Sequence, residues 1–158
     1  MAGSNWNTYI EQMLAADLNV AEHRLALGLA RACLEASVEQ AKTRTSFGAP
    51  IGSRQGIAFA ISDLAVDVDA ARALTYQAAY LKDSGRPAVE VTRAAAVAKL
   101  FSSEAAVRAT QVATQVFGGY GFMEEYPVAR FYRDAKVLEI GEGTNEIQHL
   151  VIARALGC

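Results

Sequence analysis

Apolar residues recur every three to four positions over three long stretches of the chain, which is the spacing of an amphipathic α-helix. The pattern predicts helices over residues 13–43, 54–84 and 88–116. The first two stretches end where glycine and proline fall close together, in Gly48-Ala49-Pro50 and Gly85-Arg86-Pro87, which are typical stop signals. Helices of about 30 residues are roughly 45 Å long, and short turns between them force antiparallel packing.

Two shorter helices complete the predicted architecture. Pro127 suits the first turn of a helix that reaches about Asp134, and Thr144 can cap a last helix that ends near Ala155. The intervening residues 138–143 are predicted to form a loop. The prediction is an all-α fold, an antiparallel up-and-down four-helix bundle with a short extra helix. It occupies residues 13–158 as one domain, after a tag or linker remnant at residues 1–12.

The composition supports a packed helical domain and excludes several classes of protein. The 158 residues are 52% hydrophobic and 20% charged, with a net charge of −2, so disorder is not expected. The balanced charge and a pI near 5.7 argue against nucleic-acid binding. No apolar run is long enough to span a bilayer, no signal peptide is visible, and two cysteines make no disulfide framework. A soluble intracellular protein is therefore expected.

Three segments could carry chemistry, and each also has an ordinary structural interpretation. The glycine cluster at residues 118–121 follows a helix, so it either caps that helix or lets a phosphate approach the backbone. Arg44 and Phe47 suit a phosphate and a flat ring, or are an exposed arginine and a core phenylalanine. Glu142, between Gly141 and Gly143, is either a solvated loop residue or a base displayed to a ligand.

A metal site is not predicted. Glu146 and His149 form one Glu-x-x-His match, but di-iron bundles need this motif twice. His23, the only other histidine, lacks the spacing. A helix surface is the ordinary place for such a pair.

Five motifs, in their order and spacing, resemble the C-terminal domain of the acyl-CoA dehydrogenase family. The motifs are Arg44-x-x-Phe47-Gly48 with Pro50-Ile51 and Gln55, Gln115-Val116-Phe117-Gly118-Gly119-Tyr120-Gly121-Phe122, Tyr126-Pro127, Arg133-Asp134-Ala135-Lys136, and Glu142-Gly143-Thr144-Asn145-Glu146-Ile147-Gln148. The resemblance covers about residues 17 to 157. One such motif alone would be a weak signal, whereas five in register over nearly the whole chain are a strong one.

The resemblance implies an FAD-dependent oxidation of an acyl-CoA thioester to its trans-2-enoyl product. Glu142 matches the catalytic base of the short- and medium-chain members, and Gly143 matches a position beside the bound thioester. The alternative base of the branched- and long-chain members would fall at Leu18, which cannot accept a proton. The resemblance therefore favours Glu142 as the only candidate for the base.

The resemblance also implies a set of residues that bind FAD. Arg44 matches a contact to the pyrophosphate, and Phe47 matches a ring packed near the cofactor. The positions matching the adenosine half, which is typically bound by a neighbouring subunit, are Gln55, Gln115, Val116, Phe117, Gly118 and Gly119. Those matching a second cofactor-contacting stretch are Thr144, Asn145 and Glu146.

The implied partners are an acyl-CoA substrate, an electron-transferring flavoprotein as electron acceptor, and further copies of the chain in a dimer or tetramer. The implied location is the cytoplasm, or the mitochondrial matrix in a eukaryote. The family's N-terminal helical domain and middle β-domain have no counterpart in these 158 residues, so turnover by this chain alone is not expected. The alternative interpretation is a non-catalytic assembly module that completes the flavin site of a partner.

Overall fold

Six α-helices, a small hairpin and two 3₁₀ turns make up residues 20–158, the part of the chain that the computed structural model describes. The helices are α1 (Val20–Thr43), α2 (Gln55–Asp83), α3 (Ala88–Phe117), α4 (Pro127–Ala135), α5 (Val137–Ile140) and α6 (Asn145–Ala155). The strands are β1 (Thr45–Ser46) and β2 (Ala49–Pro50), and the 3₁₀ turns are Ile51–Ser53 and Gly118–Phe122. The predicted all-α fold is confirmed. The proposed remnant at residues 1–12 and the predicted first-helix residues 13–19 lie outside the described residues.

Helix α3 is the central element, and its buried face consists mainly of alanine. The buried alanines of α3 are Ala95, Ala96, Ala98, Ala105, Ala106, Ala109 and Ala113. Side chains this small let α1 and α2 pack closely against α3. Two shorter helices, α4 and α6, together take the place of a fourth long helix. Val128 of α4 packs near the C-terminal end of α3, and Val151 of α6 packs on Ala96.

Two local elements differ from the prediction. Residues 45–50, interpreted from the sequence only as a helix stop, form a hairpin in which Thr45 pairs with Pro50. Residues 137–140 form helix α5 inside the predicted loop 138–143, so that part of the loop prediction is wrong. A hydrogen bond from the Gly141 amide to the Val137 carbonyl (2.8 Å) and an ion pair between Lys136 and Glu139 close this single turn.

The outer side of α2 exposes several large apolar side chains. Phe59, Val66, Tyr76 and Tyr80 lie on this side at helical spacing, and each is more than half exposed. Within residues 20–158, no helix combines the length and the apolar character that crossing a bilayer demands. Exposed apolar side chains that share one side of a helix are typical of a surface that contacts another protein.

Gly121 occupies a position where a side chain does not fit. A Cβ atom added there would lie 2.6 Å from the backbone oxygen of Thr114, which cannot move without disturbing α3. We therefore expect Gly121→Ala to lower the free energy of unfolding by about 1–3 kcal/mol. Gly119 is the matched control, because a Cβ there meets nothing within 4 Å. Urea unfolding of both variants measures the difference, and equal destabilisation would contradict the expected clash.

Candidate functional site

A groove of about 500 Å³ opens where α1 and α3 end at the same side of the molecule. Its lining residues are Arg44, Ser46, Phe47, Ile51, Arg54, Ile57, Gln115, Val116, Phe117 and Gly118. The tertiary structure thus brings together six of the predicted cofactor-binding residues, from segments more than 60 positions apart. The other five do not line the groove: Thr144, Asn145 and Glu146 line a separate pocket, and Gln55 and Gly119 line neither. Gln55 is exposed at the start of α2, and Gly119 is exposed one residue beyond Gly118.

The side chains at the mouth of the groove are unusually exposed to solvent. Phe47 is 95% exposed and has φ +51°, a backbone conformation that a phenylalanine rarely adopts. The interpretation of Phe47 as a core residue is therefore wrong. The guanidinium carbon of Arg44 lies 5.1 Å from the centre of the Tyr120 ring, which orients the arginine by a cation–π contact. Gly118 ends α3 with φ +62°, so the glycine cluster does cap this helix.

Arg54 is a groove residue that the sequence analysis missed. Its Nη2 donates to the carbonyl oxygens of Ser46 (3.1 Å) and Phe47 (3.3 Å), so it holds the tip of the hairpin. Its guanidinium carbon also lies 6.0 Å from the centre of the Phe47 ring. The sequence did contain a signal that Arg54 could bind a ligand. Arg54 directly precedes α2, and the first turn of α2 contains no acidic residue that could pair with it.

A second candidate region is the loop between α5 and α6. Glu142 is exposed there with φ +44°, and the following Gly143 has φ +98°. A left-handed conformation at glutamate is uncommon and costs about 1 kcal/mol or more. Two consecutive positive φ values turn the chain sharply just before α6. This turn presents the Glu142 carboxylate to solvent rather than to the helices beneath it.

Thr144, Asn145 and Glu146 lie beside this loop in a polar pocket of about 270 Å³, which Lys136 and His149 also line. Thr144 occupies the predicted N-cap position of α6, but its side chain caps no backbone amide. The backbone amide of Glu146 and then the Thr144 hydroxyl hold the pKa of the Glu146 carboxyl below its usual range. Over the described residues, no group of three or more His, Cys, Asp and Glu side chains is placed to hold a metal ion.

Buried polar side chains lie under the Glu142 loop. Asn145 accepts hydrogen bonds at Oδ1 from Lys99 Nζ and from Ser103 Oγ, both at 2.9 Å. Gln148, which is 1% exposed, donates from Nε2 to the Gly143 carbonyl at 3.2 Å. Asn145, which the resemblance predicts as a cofactor contact, lines the polar pocket, and its Oδ1 faces α3. The contributions of Lys99 and Ser103 carry no local sequence signal, because both residues lie more than 40 positions before Asn145.

His23 of α1 is buried close to Lys99. Burial, and secondarily the charge of Lys99, lower the pKa of His23 to about 4. Its Nδ1 is buried with no hydrogen-bond partner among the described residues. His23 is therefore neutral in the folded protein at physiological pH, and the polar layer under the loop carries the charge of Lys99 rather than that of an imidazolium.

The groove and the Glu142 loop lie near different parts of α3. Ser103 supports the loop, Gln115 lines the groove, and the two residues are roughly 18 Å apart along the helix at 1.5 Å per residue. Neither cavity includes Glu142 in its lining. The predicted site residues thus form two groups that one rigid helix connects.

Comparison with known proteins assigns this arrangement to a family. The family described as "Acyl-CoA dehydrogenase, C-terminal domain" matches residues 16–157. The chain belongs to this family. The match includes both the groove and the Glu142 loop, which is why the five motifs occur in register along a single domain.

Similar proteins share the family but are longer than this chain. A probable acyl-CoA dehydrogenase of Bacillus subtilis is 54% identical over 132 residues, which are 84% of this chain and 34% of that protein. The butyryl-CoA dehydrogenase structure from Megasphaera elsdenii has a TM-score of 0.86 and 42% identity, covering 99% of this chain and 39% of that one. The FAD complex of PigA has a TM-score of 0.81 and 34% identity, covering 85% and 34% of the two chains. This chain therefore spans about a third of the length of the curated relatives it matches.

Proposed function

We propose that this chain contributes the helical C-terminal domain of an FAD-dependent acyl-CoA dehydrogenase, with Glu142 as its catalytic base. The observation that carries the proposal is the conformation of Glu142, whose exposed carboxylate stands on left-handed backbone between two glycines. Backbone strain at a non-glycine residue persists only where surrounding structure maintains it, and it clusters at functional sites. Relatives that are named acyl-CoA dehydrogenases support this reaction class.

The proposed reaction removes two hydrogens from adjacent carbons of an acyl-CoA thioester. Glu142 takes the proton from the carbon α to the thioester carbonyl, and the electrons of that C–H bond enter the new double bond. FAD, when bound, would supply the acceptor for the hydride that leaves the β-carbon, and the product would be the trans-2-enoyl thioester. The backbone N–H of Glu142 donates to the thioester oxygen, where negative charge develops. Gly143 has no side chain to obstruct the thioester.

The groove has the charges and surfaces that FAD requires. Arg44 and Arg54 supply two guanidinium groups, and neither forms an ion pair with a carboxylate within residues 20–158. Each guanidinium group can bind two phosphate oxygens at once, which suits a pyrophosphate. The open ring of Phe47 offers a face to a flat aromatic group, and Gly118 leaves backbone accessible beside it. These residues fit the adenine dinucleotide part of the cofactor.

Removing the Arg44 charge should weaken FAD binding. A charged hydrogen bond contributes about 1.5–3 kcal/mol, so we expect Arg44→Gln to raise the dissociation constant for FAD about 10- to 100-fold. Arg31→Gln is the matched control, because Arg31 is also exposed on α1 but pairs with Glu35 at 2.7 Å. Quenching of flavin fluorescence by the apoprotein measures both constants. An unchanged constant for Arg44→Gln, or an equal loss for Arg31→Gln, would contradict the assignment of the groove.

The proposal includes partners and a location. The apolar outer side of α2 suits a homo-oligomer, a dimer or tetramer, in which the groove of one subunit contacts the adenosine half of a neighbour's FAD. An electron-transferring flavoprotein is the proposed electron acceptor. The proposed location is the bacterial cytoplasm or, in a eukaryote, the mitochondrial matrix.

A non-catalytic assembly module is the second candidate, and the same apolar side of α2 favours it. The colour of the protein, purified as its gene encodes it, distinguishes the two candidates. A dehydrogenase should be yellow from bound FAD, and a short-chain acyl-CoA should bleach that colour in an anaerobic stopped-flow experiment. A colourless protein that still forms oligomers would support the module and contradict the dehydrogenase.

A further inference from the structure

Nothing within the loop explains why Glu142 keeps its left-handed conformation. The Thr144 side chain caps no amide of α6, and Gly143 adds no side-chain contact. A backbone strain of about 1 kcal/mol would relax unless neighbouring groups held the loop. The contacts that hold it come from below, from helices α3 and α6.

Gln148 makes the more direct of these contacts. Its amide donates to the carbonyl of Gly143, the residue that follows Glu142. A carbonyl accepts but cannot donate, so the chemistry requires the nitrogen of the Gln148 side chain on this side. The other end of the amide, Oε1, is buried without a partner among the described residues. A buried acceptor without a hydrogen-bond partner lowers the free energy of unfolding by about 1–3 kcal/mol. The stability of the fold alone therefore does not favour an amide side chain at position 148.

Asn145, the first residue of α6, provides a second anchor on the C-terminal side of the same turn. Its Oδ1 accepts from Lys99 and Ser103 of α3, both at 2.9 Å, and Lys99 is only 4% exposed. A hydrogen bond from an ammonium group is stronger than one between neutral groups. The first residue of α6 is therefore bonded to the central helix, and Gln148 ties the loop back to α6. Both contacts follow Glu142 in the chain and hold the backbone on its C-terminal side, while the Gly141 amide, bonded to the Val137 carbonyl at 2.8 Å, holds the N-terminal side.

We propose that Gln148 is a positioning residue for the catalytic loop, acting through the Gly143 carbonyl, with the Lys99–Ser103–Asn145 contacts as its counterpart on α3. The inference rests on the proposed role of Glu142 as the base. Gln148 does not touch substrate; it holds the backbone that aims the carboxylate. Proton transfer is sensitive to such placement, because a misplacement of about 1 Å can cost about 100-fold in rate.

Gln148→Met tests the inference, because methionine has nearly the same length and no donor. In the protein purified as its gene encodes it, with FAD bound, we expect kcat for acyl-CoA to fall about 10- to 100-fold with little change in KM. Hydrogen exchange of the Gly141 amide, which donates to the Val137 carbonyl (2.8 Å) where the loop begins, should become at least 10-fold faster. Val151→Ala is the matched control: this buried residue of α6 packs on Ala96, and its truncation should destabilise the helix without loosening the loop.

A second pair of variants keeps the test informative if Gln148→Met folds poorly. Asn145→Asp retains an oxygen that accepts from Lys99 and Ser103, so loop exchange should stay slow, whereas Asn145→Leu should accelerate it. Unchanged exchange in Gln148→Met or, if that variant does not fold, in Asn145→Leu would overturn the inference, as would equal acceleration in Val151→Ala. Retained turnover in Glu142→Gln would instead overturn the proposed function, which loop exchange does not measure.

Discussion

Replacing Glu142 with glutamine should lower the rate of acyl-CoA dehydrogenation by about 100- to 10,000-fold while FAD remains bound. A positioned general base contributes about this much to a proton transfer, and glutamine has the same shape but cannot accept the proton. The groove and the Glu142 loop lie at different positions along α3, so the substitution does not change the groove. The affinity for FAD should therefore stay within a few-fold of that of the original protein. Anaerobic stopped-flow bleaching of the flavin by a short-chain acyl-CoA measures the rate directly.

Glu125→Gln is the control for the Glu142 experiment. Glu125 is also an exposed glutamate outside the long helices, but it lines neither the groove nor the polar pocket. Its replacement removes the same charge from the surface and should leave the bleaching rate unchanged. Bleaching of the Glu142→Gln flavin at the rate of the original protein would show that another group takes the proton, and the assignment of the base would fail.

Acid should destabilise the fold through His23. The pKa of His23 is about 4 in the folded protein, because of burial first and Lys99 second, against 6.5 in an unfolded chain. Well above pH 6.5 the residue is neutral in both states and contributes no pH dependence. As the pH falls from 6.5 to 4, the unfolded chain binds a proton that the folded one excludes. The free energy of unfolding should therefore drop over this window by about 3 kcal/mol.

His23→Gln isolates this contribution, since glutamine does not titrate. Urea unfolding at pH 7.5, 5 and 4 measures the free energy of unfolding of both proteins. The decrease on acidification should be smaller in this variant than in the original protein, by about 3 kcal/mol at the lowest pH. His149→Gln is the matched control, because it makes the same replacement at an exposed position of α6. The same acid loss in His23→Gln as in the original protein would exclude His23 as its source.

The starts and ends of the long helices could be predicted within a residue or two wherever a proline or a glycine stood at the boundary. Pro87 directly precedes α3, Gly118 follows its last residue with φ +62°, and Gly85 follows α2 with φ +64°. These residues act locally, so no knowledge of the tertiary structure is needed to interpret them. The hairpin at residues 45–50 and the single turn of α5 were missed because each is only a few residues long and depends on contacts outside its own pattern.

The candidate site was only partly predictable. Arg44, Phe47 and Glu142 were identifiable because charge, aromaticity and flanking glycines are visible in the sequence itself. Arg54 was missed because its bonds to Ser46 and Phe47 exist only once the hairpin folds back towards α2. Short-range motifs thus identified the candidate residues, whereas the contacts that orient them depend on the fold.

The sequence by itself determined an all-α architecture, the order of its long helices and a family, because helical periodicity, turn residues and motif spacing are properties of neighbouring positions. Only the tertiary structure decided that Lys99 and Ser103 of α3 reach Asn145 beside the Glu142 loop. More than 40 positions separate these residues, and only the packing of α6 on α3 brings them together. Long-range contacts of this kind depend on how the alanine face of α3 lets its neighbours approach, which no local pattern contains.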